Sequence, residues 1–273
     1  MRIADALNAA RTLGVARLDA QWLLEHLLGR PRSWLLAHDD TELTAAQAAD
    51  LQAGLARRAA GEPLAYVVGE REFRGLALRV TPAVLVPRPE TELLVDWALE
   101  HLPADTAVDV VDLGTGSGAV ALALQRERPR ARVLATDASA LALSVARGNA
   151  QRLGLPVQFV QGNWWAPLAG RRFALAVSNP PYVAGDDPHL AALEHEPRCA
   201  LTPEGDGLDA LRRIVHGAPA HLLPGAWLLL EHGHDQAATV RQLLLGAGFE
   251  AAQTRHDLAG LPRCTGARLR AEN

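Results

Sequence analysis

Apolar and polar residues alternate with a helical spacing through about the first 60 residues of the chain. Ile3, Leu7 and Ala10 recur at intervals of three or four positions, so they share one face of a helix. The same spacing continues from Leu18 to Leu27. This pattern predicts a small helical N-terminal domain over residues 1–63.

Capping residues indicate where the helices of this domain begin and end. Ser33 and Thr44 are predicted N-caps of the next two helices, because a side-chain oxygen there can accept a hydrogen bond from an unpaired backbone N–H. Gly61 stands where the last helix is expected to stop, since glycine commonly follows a helix C-terminus.

The hydrophobic period changes at Leu64. The segment LAYVVGEREFRGLALRV carries β-branched and aromatic residues around Gly69 and Gly75, two residues that favour turns. It predicts the strands of a β-hairpin, which would form a linker over residues 64–82.

Short apolar runs alternate with longer amphipathic stretches in the remainder of the chain. Pro89 is expected in the first turn of a helix. The strands predicted after this helix are VDVVDLG, RVLATD, PVQFV, FALAVSNPP and AWLLLEHG. Strands that alternate with helices favour an α/β domain, here over residues 83–273, with a parallel sheet covered by helices on both faces. Residues 185–207 read as a long ordered insertion near the carboxyl ends of the strands, where such sheets bind ligands.

Composition removes several kinds of chemistry. The chain has 273 residues, 49% of them hydrophobic and 21% charged, as in a globular protein. All 27 basic residues are arginine, so a P-loop lysine, a Schiff-base lysine and a pyridoxal lysine are excluded. The formal charge of −4 argues against a stable nucleic-acid partner, although a local arginine patch could still meet RNA.

Cysteine usage and the N-terminus bear on metal sites and location. Cys199 and Cys264 are far apart and lack a metal-ligand spacing, so we expect no disulfide framework and no metal. The N-terminus lacks the uninterrupted apolar segment of a signal peptide, and no apolar run reaches the roughly 18 residues of a membrane span. A cytoplasmic protein without a membrane partner is expected.

The first group of candidate site residues is DLGTGSG at residues 112–118, where a predicted strand meets a helix. Its glycines permit a tight turn and close approach of a ligand to the backbone, but the GxGxxG spacing that seats a pyrophosphate is missing. Asp137 ends the next strand, where a carboxylate can bind ribose hydroxyls. Singly, the glycines could form only a turn and Asp137 could only start a helix; together they predict a nucleoside site without a diphosphate.

The second group is SNPPY at residues 178–182, directly after an apolar strand. The two prolines stiffen the segment and leave their carbonyls available as acceptors. An amide or aromatic amine is a poor nucleophile, so a catalyst must hold its N–H groups and aim its nitrogen at the electrophile. The Asn179 side-chain oxygen and the Pro180 carbonyl can accept those two hydrogen bonds, with Tyr182 as an apolar or stacking wall.

DLGTGSG, Asp137 and NPPY together resemble the class I S-adenosylmethionine-dependent methyltransferases that modify planar nitrogen. Within that class the chain is similar to the release factor glutamine N5-methyltransferases of the PrmC (HemK) type. DNA adenine-N6 methyltransferases carry tetrapeptides like NPPY, so the narrower resemblance depends on other segments, PRPETE and DLAGLPR above all. Four stretches carry it: YVVGEREFRG at 66–75, VTPAVLVPRPETE at 80–92, EPRCALTPEGDGLDALRRI at 196–214 and DLAGLPRCTGARL at 257–269.

This resemblance implies a fold, a reaction and a partner. The fold is a Rossmann-like, mostly parallel seven-stranded sheet with the helical domain and hairpin before it. The reaction is methyl transfer from S-adenosylmethionine, leaving S-adenosylhomocysteine, to the side-chain nitrogen of the glutamine in the Gly-Gly-Gln motif of peptide chain release factors. The helical domain would recognise the protein substrate, and the enzyme is expected to be a monomer.

The resemblance also implies roles for individual residues. Asn163 stands where the family often has an acidic residue, so the contact to the adenine amino group would come from an amide oxygen. The implied cofactor residues are Gly114, Thr115, Gly116, Ser117, Gly118, Asp137, Asn163, Trp164 and Asn179. The implied catalytic and substrate-binding residues are Asn179, Pro180, Pro181 and Tyr182.

Other residues and other functions stay open at this point. Arg88 and Glu90 could close over the site or form only a helix cap and a surface ion pair. His232 and His234 lack a partner at a recognisable spacing, and no general base is assigned. Three alternatives remain: a ribosomal-protein glutamine methyltransferase, a DNA adenine-N6 methyltransferase, for which no basic groove is evident, and a catalytically silent nucleoside-binding module.

Overall fold

A computed structural model describes residues 1–271, which form two compact units divided after Glu70. The first unit is helical, as the N-terminal periodicity predicts. Its apolar core contains fully buried Ile3, Leu24, Leu35 and Leu55. The helices are α1 (Ile3–Thr12), α2 (Arg17–Leu28), α3 (Arg32–Ala37), α4 (Ala45–Ala59) and α5 (Leu64–Val68).

One of the two predicted N-caps is confirmed and the other is wrong. The Thr44 hydroxyl accepts a hydrogen bond from the Gln47 backbone N–H, and the Gln47 side-chain oxygen accepts one from the Thr44 backbone N–H, which completes a capping box. Gly61 adopts a φ of +92° just beyond α4, the predicted conformation of a helix-ending glycine. Ser33, however, lies inside α3, because Pro31 already provides the fixed φ that starts that helix.

The hairpin is shorter than predicted, because LAYVV forms helix α5 and not a strand. Pro63 precedes the helix, and Gly69 ends it with a φ of +81°. The hairpin strands β1 (Glu70–Phe73) and β2 (Leu76–Arg79) meet at a turn that contains Gly75.

The second unit contains the seven-stranded sheet that the family resemblance implies. The spatial order is β5-β4-β3-β6-β7-β9-β8. All neighbouring strands are parallel except β9, which runs antiparallel to β7 and β8. The strands are β3 (Asp109–Leu113), β4 (Arg132–Asp137), β5 (Gln158–Gln161), β6 (Phe173–Ser178), β7 (Leu222–Glu231), β8 (Phe249–His256) and β9 (Pro262–Leu269).

Two separate apolar cores confirm that helices cover both faces of the sheet. One contains Trp97 and Leu122 with side chains of the hairpin, and the other contains Ile214 and Leu244. The helices are α6 (Glu92–His101), α7 (Ala119–Glu127), α8 (Ala140–Leu153), α9 (Arg198–Leu201), α10 (Asp209–His221) and α11 (Ala237–Gly246), and Pro89 lies in a 3₁₀ turn directly before α6.

One buried side chain connects the hairpin with helix α8, beside the apolar side chains that the hairpin adds to the core. Asn149 on α8 accepts a hydrogen bond from the Arg79 backbone N–H and donates one to the Arg79 carbonyl. It also donates to the carbonyl of Ser117. The same amide therefore joins the hairpin to the glycine segment after β3. None of the helices within residues 1–271 is long and apolar enough to cross a membrane.

Candidate active site

A cleft of about 260 Å³ opens at the carboxyl ends of β3, β4 and β6. Strand order explains the position of the cleft. Strand β3 lies between β4 and β6, and the loops that follow these three strands begin at the same edge of the sheet. Most residues of the two predicted groups line it: Gly114, Thr115, Gly116, Ser117, Asp137, Asn163, Trp164, Asn179 and Pro181. Gly118, Pro180 and Tyr182 are not in that lining.

The glycine segment is a tight turn that requires residues without a Cβ. Gly114 and Gly116 have φ angles of +74° and +55°. A Cβ on Gly114 would lie 2.9 Å from a ring carbon of Trp164, whereas a Cβ on Gly116 would meet nothing within 4 Å. Gly118 caps α7, and its missing Cβ lets Leu122 and Ala146 pack closely behind the turn.

Asp137 lies opposite this turn at the end of β4. Its Oδ2 accepts a hydrogen bond of 2.9 Å from the Gly116 backbone N–H, and its Oδ1 accepts one of 2.8 Å from Ser139. Burial raises the pKa of this carboxyl, and the two backbone hydrogen bonds oppose that shift. Each oxygen keeps a further lone pair, so the side chain can accept hydrogen bonds from a ligand.

Asn163 and Trp164 form the wall that follows β5. Trp164 has a φ of +51°, and its ring lies against Gly114. The next residue, Trp165, is buried and donates an indole hydrogen bond of 2.8 Å to the Ile214 carbonyl. One tryptophan is therefore fixed in the core while its neighbour faces the cleft.

A second buried carboxyl lies beneath the glycine turn. Asp112 is 1% exposed and accepts a 2.6 Å hydrogen bond from the Thr115 hydroxyl. Burial raises its pKa to about 7, against the effect of the hydrogen bonds from Thr115 and the Ala121 backbone. Asp112 holds the turn from below by this bond.

The NPPY segment follows β6 and is held at both ends. The Ser178 hydroxyl donates to the Leu113 carbonyl at 2.6 Å, which joins the ends of β6 and β3. The Asn179 side-chain nitrogen donates to the Thr91 hydroxyl oxygen at 3.1 Å. Because the Asn179 side-chain nitrogen donates to Thr91, the side-chain oxygen of Asn179 is the atom available to accept a hydrogen bond in the cleft.

The rest of NPPY lies against interior polar groups. Pro180 is buried, and Pro181 lines the cleft. The Tyr182 hydroxyl donates to Glu231 Oε1 at 3.2 Å, and the Tyr182 carbonyl accepts a hydrogen bond from the Gln236 side chain. Tyr182 thus anchors the segment to the end of β7.

The insertion between β6 and α10 closes one side of the cleft. Pro197, Cys199 and Ala200 contribute to its lining. Glu196 is buried, forms an ion pair with Arg88, and accepts a hydrogen bond from the Val86 backbone N–H. Arg88 also lines the cleft, so the ion pair joins the insertion to the segment before α6. Glu90 is exposed, and His232 is buried and bonded to Thr265.

Thr91 and Glu231 are site residues that sequence reasoning missed. Thr91 belongs to PRPETE, where the charged residues were the conspicuous candidates. Glu231 ends the apolar run AWLLLE, and an acidic residue at the carboxyl end of a buried strand was a signal that could have found it. Within residues 1–271, no group of three or more His, Cys, Asp and Glu side chains is placed to hold a metal ion.

Two family models match the chain. The PrmC N-terminal domain matches residues 2–69, and the methyltransferase small domain matches residues 91–208. A methyltransferase structure from Pyrococcus furiosus superposes with a TM-score of 0.55 at 17% identity over 84% of this chain and all of that one, a likeness of fold alone.

Closely similar sequences cover nearly the whole chain. The release factor glutamine methyltransferase of Bordetella pertussis is 52% identical over 259 residues, 94% of this chain and 96% of its own length. The protein of the same name from Burkholderia pseudomallei is 51% identical over 275 residues, 97% of this chain and 96% of its own length.

Proposed function

This chain belongs to the release factor glutamine methyltransferases, and we propose that its cleft binds S-adenosylmethionine and methylates the glutamine of the Gly-Gly-Gln motif in peptide chain release factors. It is an S-adenosylmethionine-dependent protein-glutamine N5-methyltransferase by that membership. The observation that carries the proposal for the site is that Asn179 shares one cleft with the glycine turn and Asp137.

The residues of the cleft fit the cofactor. The space beside Gly116 is open because this residue has no side chain, so a ligand can approach the backbone of the turn there. Asp137 presents acceptor lone pairs for ribose hydroxyls, and Trp164 supplies a flat apolar surface for adenine. Asn163 is the residue that would accept from the adenine amino group. When bound, S-adenosylmethionine supplies an electrophilic methyl group on a sulfonium.

Asn179 and Pro180 would hold the substrate amide by its two N–H groups. The Asn179 oxygen would face the substrate because its nitrogen bonds to Thr91, and the carbonyl of Pro180, a residue outside the lining of the cleft, would be the second acceptor. Pro181 and Tyr182 stiffen the segment, so the acceptors need little reorganisation. The glutamine nitrogen would attack in line, and its proton would leave during or after transfer to water or carbonyl oxygens.

Positioning is the main contribution of these groups to the rate. Well-oriented reactants can lower a barrier by about 7 to 11 kcal/mol. Removing a proton from the neutral amide before methyl transfer would cost more free energy than holding the intact amide in place. The site therefore needs hydrogen-bond acceptors and no strong base.

Mass spectrometry of methylated substrates tests this proposal. Purified release factor and a ribosomal protein substrate are each incubated with the chain and labelled cofactor. We expect one methyl group on the Gly-Gly-Gln peptide of the release factor and none on the ribosomal protein. Asn179→Ala should abolish the increment, whereas Gln151→Ala, which removes an exposed carboxamide on α8, should not. Full methylation by Asn179→Ala would refute the assigned site.

A further inference from the structure

The backbone carbonyl of Tyr182, at the end of the NPPY segment, lies where three loops meet. The first loop is NPPY itself. The second is the loop after β7, from which the Gln236 side-chain nitrogen donates a hydrogen bond of 2.9 Å to this carbonyl oxygen. The third is the end of the insertion between β6 and α10, where buried Gly207 lies against the same oxygen. The position of NPPY therefore depends on two other loops at one atom.

The Gln236 carboxamide can take only one orientation at this place. Its oxygen accepts a hydrogen bond of 2.9 Å from the Gly233 backbone N–H, and its nitrogen donates to the Tyr182 carbonyl. A backbone N–H can only donate and a backbone carbonyl can only accept, so a carboxamide turned by half a revolution would lose both bonds. The Gln236 backbone N–H also donates to the Gly233 carbonyl at 2.9 Å. Gln236 thus joins a closed turn before α11 to NPPY.

Gly207 leaves the room that this contact needs. Its φ is +77°, and a Cβ there would lie 2.4 Å from the Tyr182 carbonyl oxygen, 3.0 Å from the Ala184 backbone nitrogen and 3.1 Å from the Gln236 side-chain nitrogen. Gly205 belongs to the same insertion and has a φ of +57°, but a Cβ there would meet nothing within 4 Å. The close approach to Tyr182 therefore belongs to Gly207 and not to its neighbour.

NPPY needs an anchor at this end because its own backbone has few donors. Pro180 and Pro181 have no N–H group, so neither can donate a backbone hydrogen bond that would hold it. Their rings fix φ, but the angle ψ of each residue can still turn its carbonyl. The Ser178 hydroxyl holds one end of the segment at the Leu113 carbonyl. The direction of the Pro180 carbonyl then depends on how the other end, at Tyr182, is held.

We propose that Gln236 is a positioning residue for methyl transfer, because it holds the backbone of NPPY where the Pro180 carbonyl can meet the substrate amide. The inference rests on the proposed function, in which that carbonyl is the second acceptor. The bond from the Tyr182 hydroxyl to Glu231 fixes the ring of Tyr182, whereas the bond from Gln236 fixes its backbone. Gln236 and Gly207 lie outside the lining of the cleft, so cofactor affinity should not depend on them.

Gln236→Met tests the proposal, because it removes both side-chain hydrogen bonds and keeps a long unbranched side chain. We expect kcat for the release factor to fall by about 100-fold, the scale of a misplaced reacting group. The KM for the release factor and the dissociation constant of S-adenosylmethionine should stay close to those of the unsubstituted chain. Gln242→Met, which changes an exposed carboxamide on α11, is the matched control and should leave all three values unchanged.

Cofactor titration separates positioning from a loss of folded protein. Isothermal titration calorimetry gives the number of S-adenosylmethionine sites per chain as well as their affinity. A much lower kcat with one full site per chain and an unchanged melting temperature is the expected result for Gln236→Met. A kcat that falls only in proportion to the number of sites would show that Gln236 supports the fold alone, and the inference would be wrong.

Gly207→Ala disturbs the same carbonyl from the other side. Its Cβ would displace the Tyr182 oxygen, and Gly205→Ala controls for the cost of a side chain at positive φ. We expect kcat to fall in Gly207→Ala and not in Gly205→Ala. Adding Gly207→Ala to Gln236→Met should cause little further loss, because both changes act on one carbonyl.

Two outcomes of this comparison would overturn the inference. One is a pair of losses that multiply in the double variant, and the other is an equal kcat for Gly207→Ala and Gly205→Ala. Should Gln236→Met fail to fold, the comparison of the two glycine variants carries the test.

Asn179→Ala, measured alongside, tells apart the two ways of failing. An active Asn179→Ala variant contradicts the proposed site itself. An inactive Asn179→Ala variant with a fully active Gln236→Met variant contradicts only the positioning role of Gln236.

Discussion

Asp112 and Glu231 are both fully buried carboxyl groups, near the ends of β3 and β7, and burial raises the pKa of each to about 7. Each is bonded to a hydroxyl of the site, Thr115 in one case and Tyr182 in the other. Glu231 was not chosen from sequence as a site residue, because strand order, and not its own motif, brings its partner Tyr182 to it. Asp112, Asp137 and Asn179 could be placed from their local motifs because each directly ends or follows a strand.

Asp112 gives a prediction for how folding stability depends on pH. Its pKa is raised by folding, so the folded chain binds the proton more tightly, and its contribution to stability is complete below about pH 4 and lost as the pH rises to about 7. The unsubstituted chain and the Asp112→Asn variant are compared by the difference in their free energies of unfolding, taken in that order. This difference should fall by about 1.4 kcal/mol for each pH unit in that window. Denaturant unfolding at a series of pH values measures it, and a flat difference would contradict the burial argument.

Gly114 gives a prediction for cofactor binding. Gly114→Ala places a Cβ 2.9 Å from the Trp164 ring at a φ of +74°, so the ring must move. Gly170 has a φ of +75° with nothing within 4 Å and is the matched control. Both alanine variants should lose about 1 kcal/mol of stability from the left-handed backbone.

Only Gly114→Ala should also weaken binding of S-adenosylmethionine, by tenfold or more in the dissociation constant, or about 1.4 kcal/mol. Isothermal titration calorimetry on both variants measures this. Equal affinities for the two variants would show that the contact between Gly114 and Trp164 does not shape the cofactor site.

Among the elements, the insertion at residues 185–207 contains one ion pair with a buried carboxylate. The Glu196 side chain is 2% exposed, and Arg88 pairs with it from the segment before α6. Arg198 and Glu204 form a second pair on the same insertion, but both of their side chains are more than half exposed.

Arg88→Ala is predicted to be far more destabilising than Arg198→Ala. The first leaves a buried carboxylate without its charged partner, which costs about 3 kcal/mol, and the second removes an exposed pair worth at most about 1 kcal/mol. Hydrogen exchange should also speed up across residues 185–207 only in Arg88→Ala. Similar unfolding free energies for the two variants would show that the Arg88 pair does not hold the insertion.

The elements that could be predicted from the sequence differ physically from the elements that could not. Strands β3, β4, β6 and β7 are continuous apolar runs because both of their faces are covered. Strand β8 lies at the sheet edge, where half-buried and exposed residues follow the buried Phe249, and FEAAQTRH contains no apolar run to mark it. Helix α5 was mistaken for a strand because LAYVV has strand-forming residues, whereas the flanking Pro63 and Gly69 decided its conformation.

On the scale of the whole molecule, periodicity predicted a parallel sheet covered on both faces, and the family resemblance implied seven mostly parallel strands, but the order of the strands and the antiparallel strand β9 came from the structure. Strand order matters most for function, because it brings residues from four separate loops to one cleft. The proposed function thus depends on geometry: Thr91 holds the Asn179 carboxamide by its nitrogen, so the carboxamide oxygen is available to the glutamine amide that accepts the methyl group.

The most direct test is a crystal structure of the chain with S-adenosylhomocysteine and a Gly-Gly-Gln peptide, in which one distance is measured. We expect about 2.7 to 3.2 Å between the Asn179 side-chain oxygen and the glutamine side-chain nitrogen, with that nitrogen facing the cofactor sulfur. An Asn179 oxygen turned away from the glutamine, or a glutamine bound outside the cleft, would contradict the proposed function.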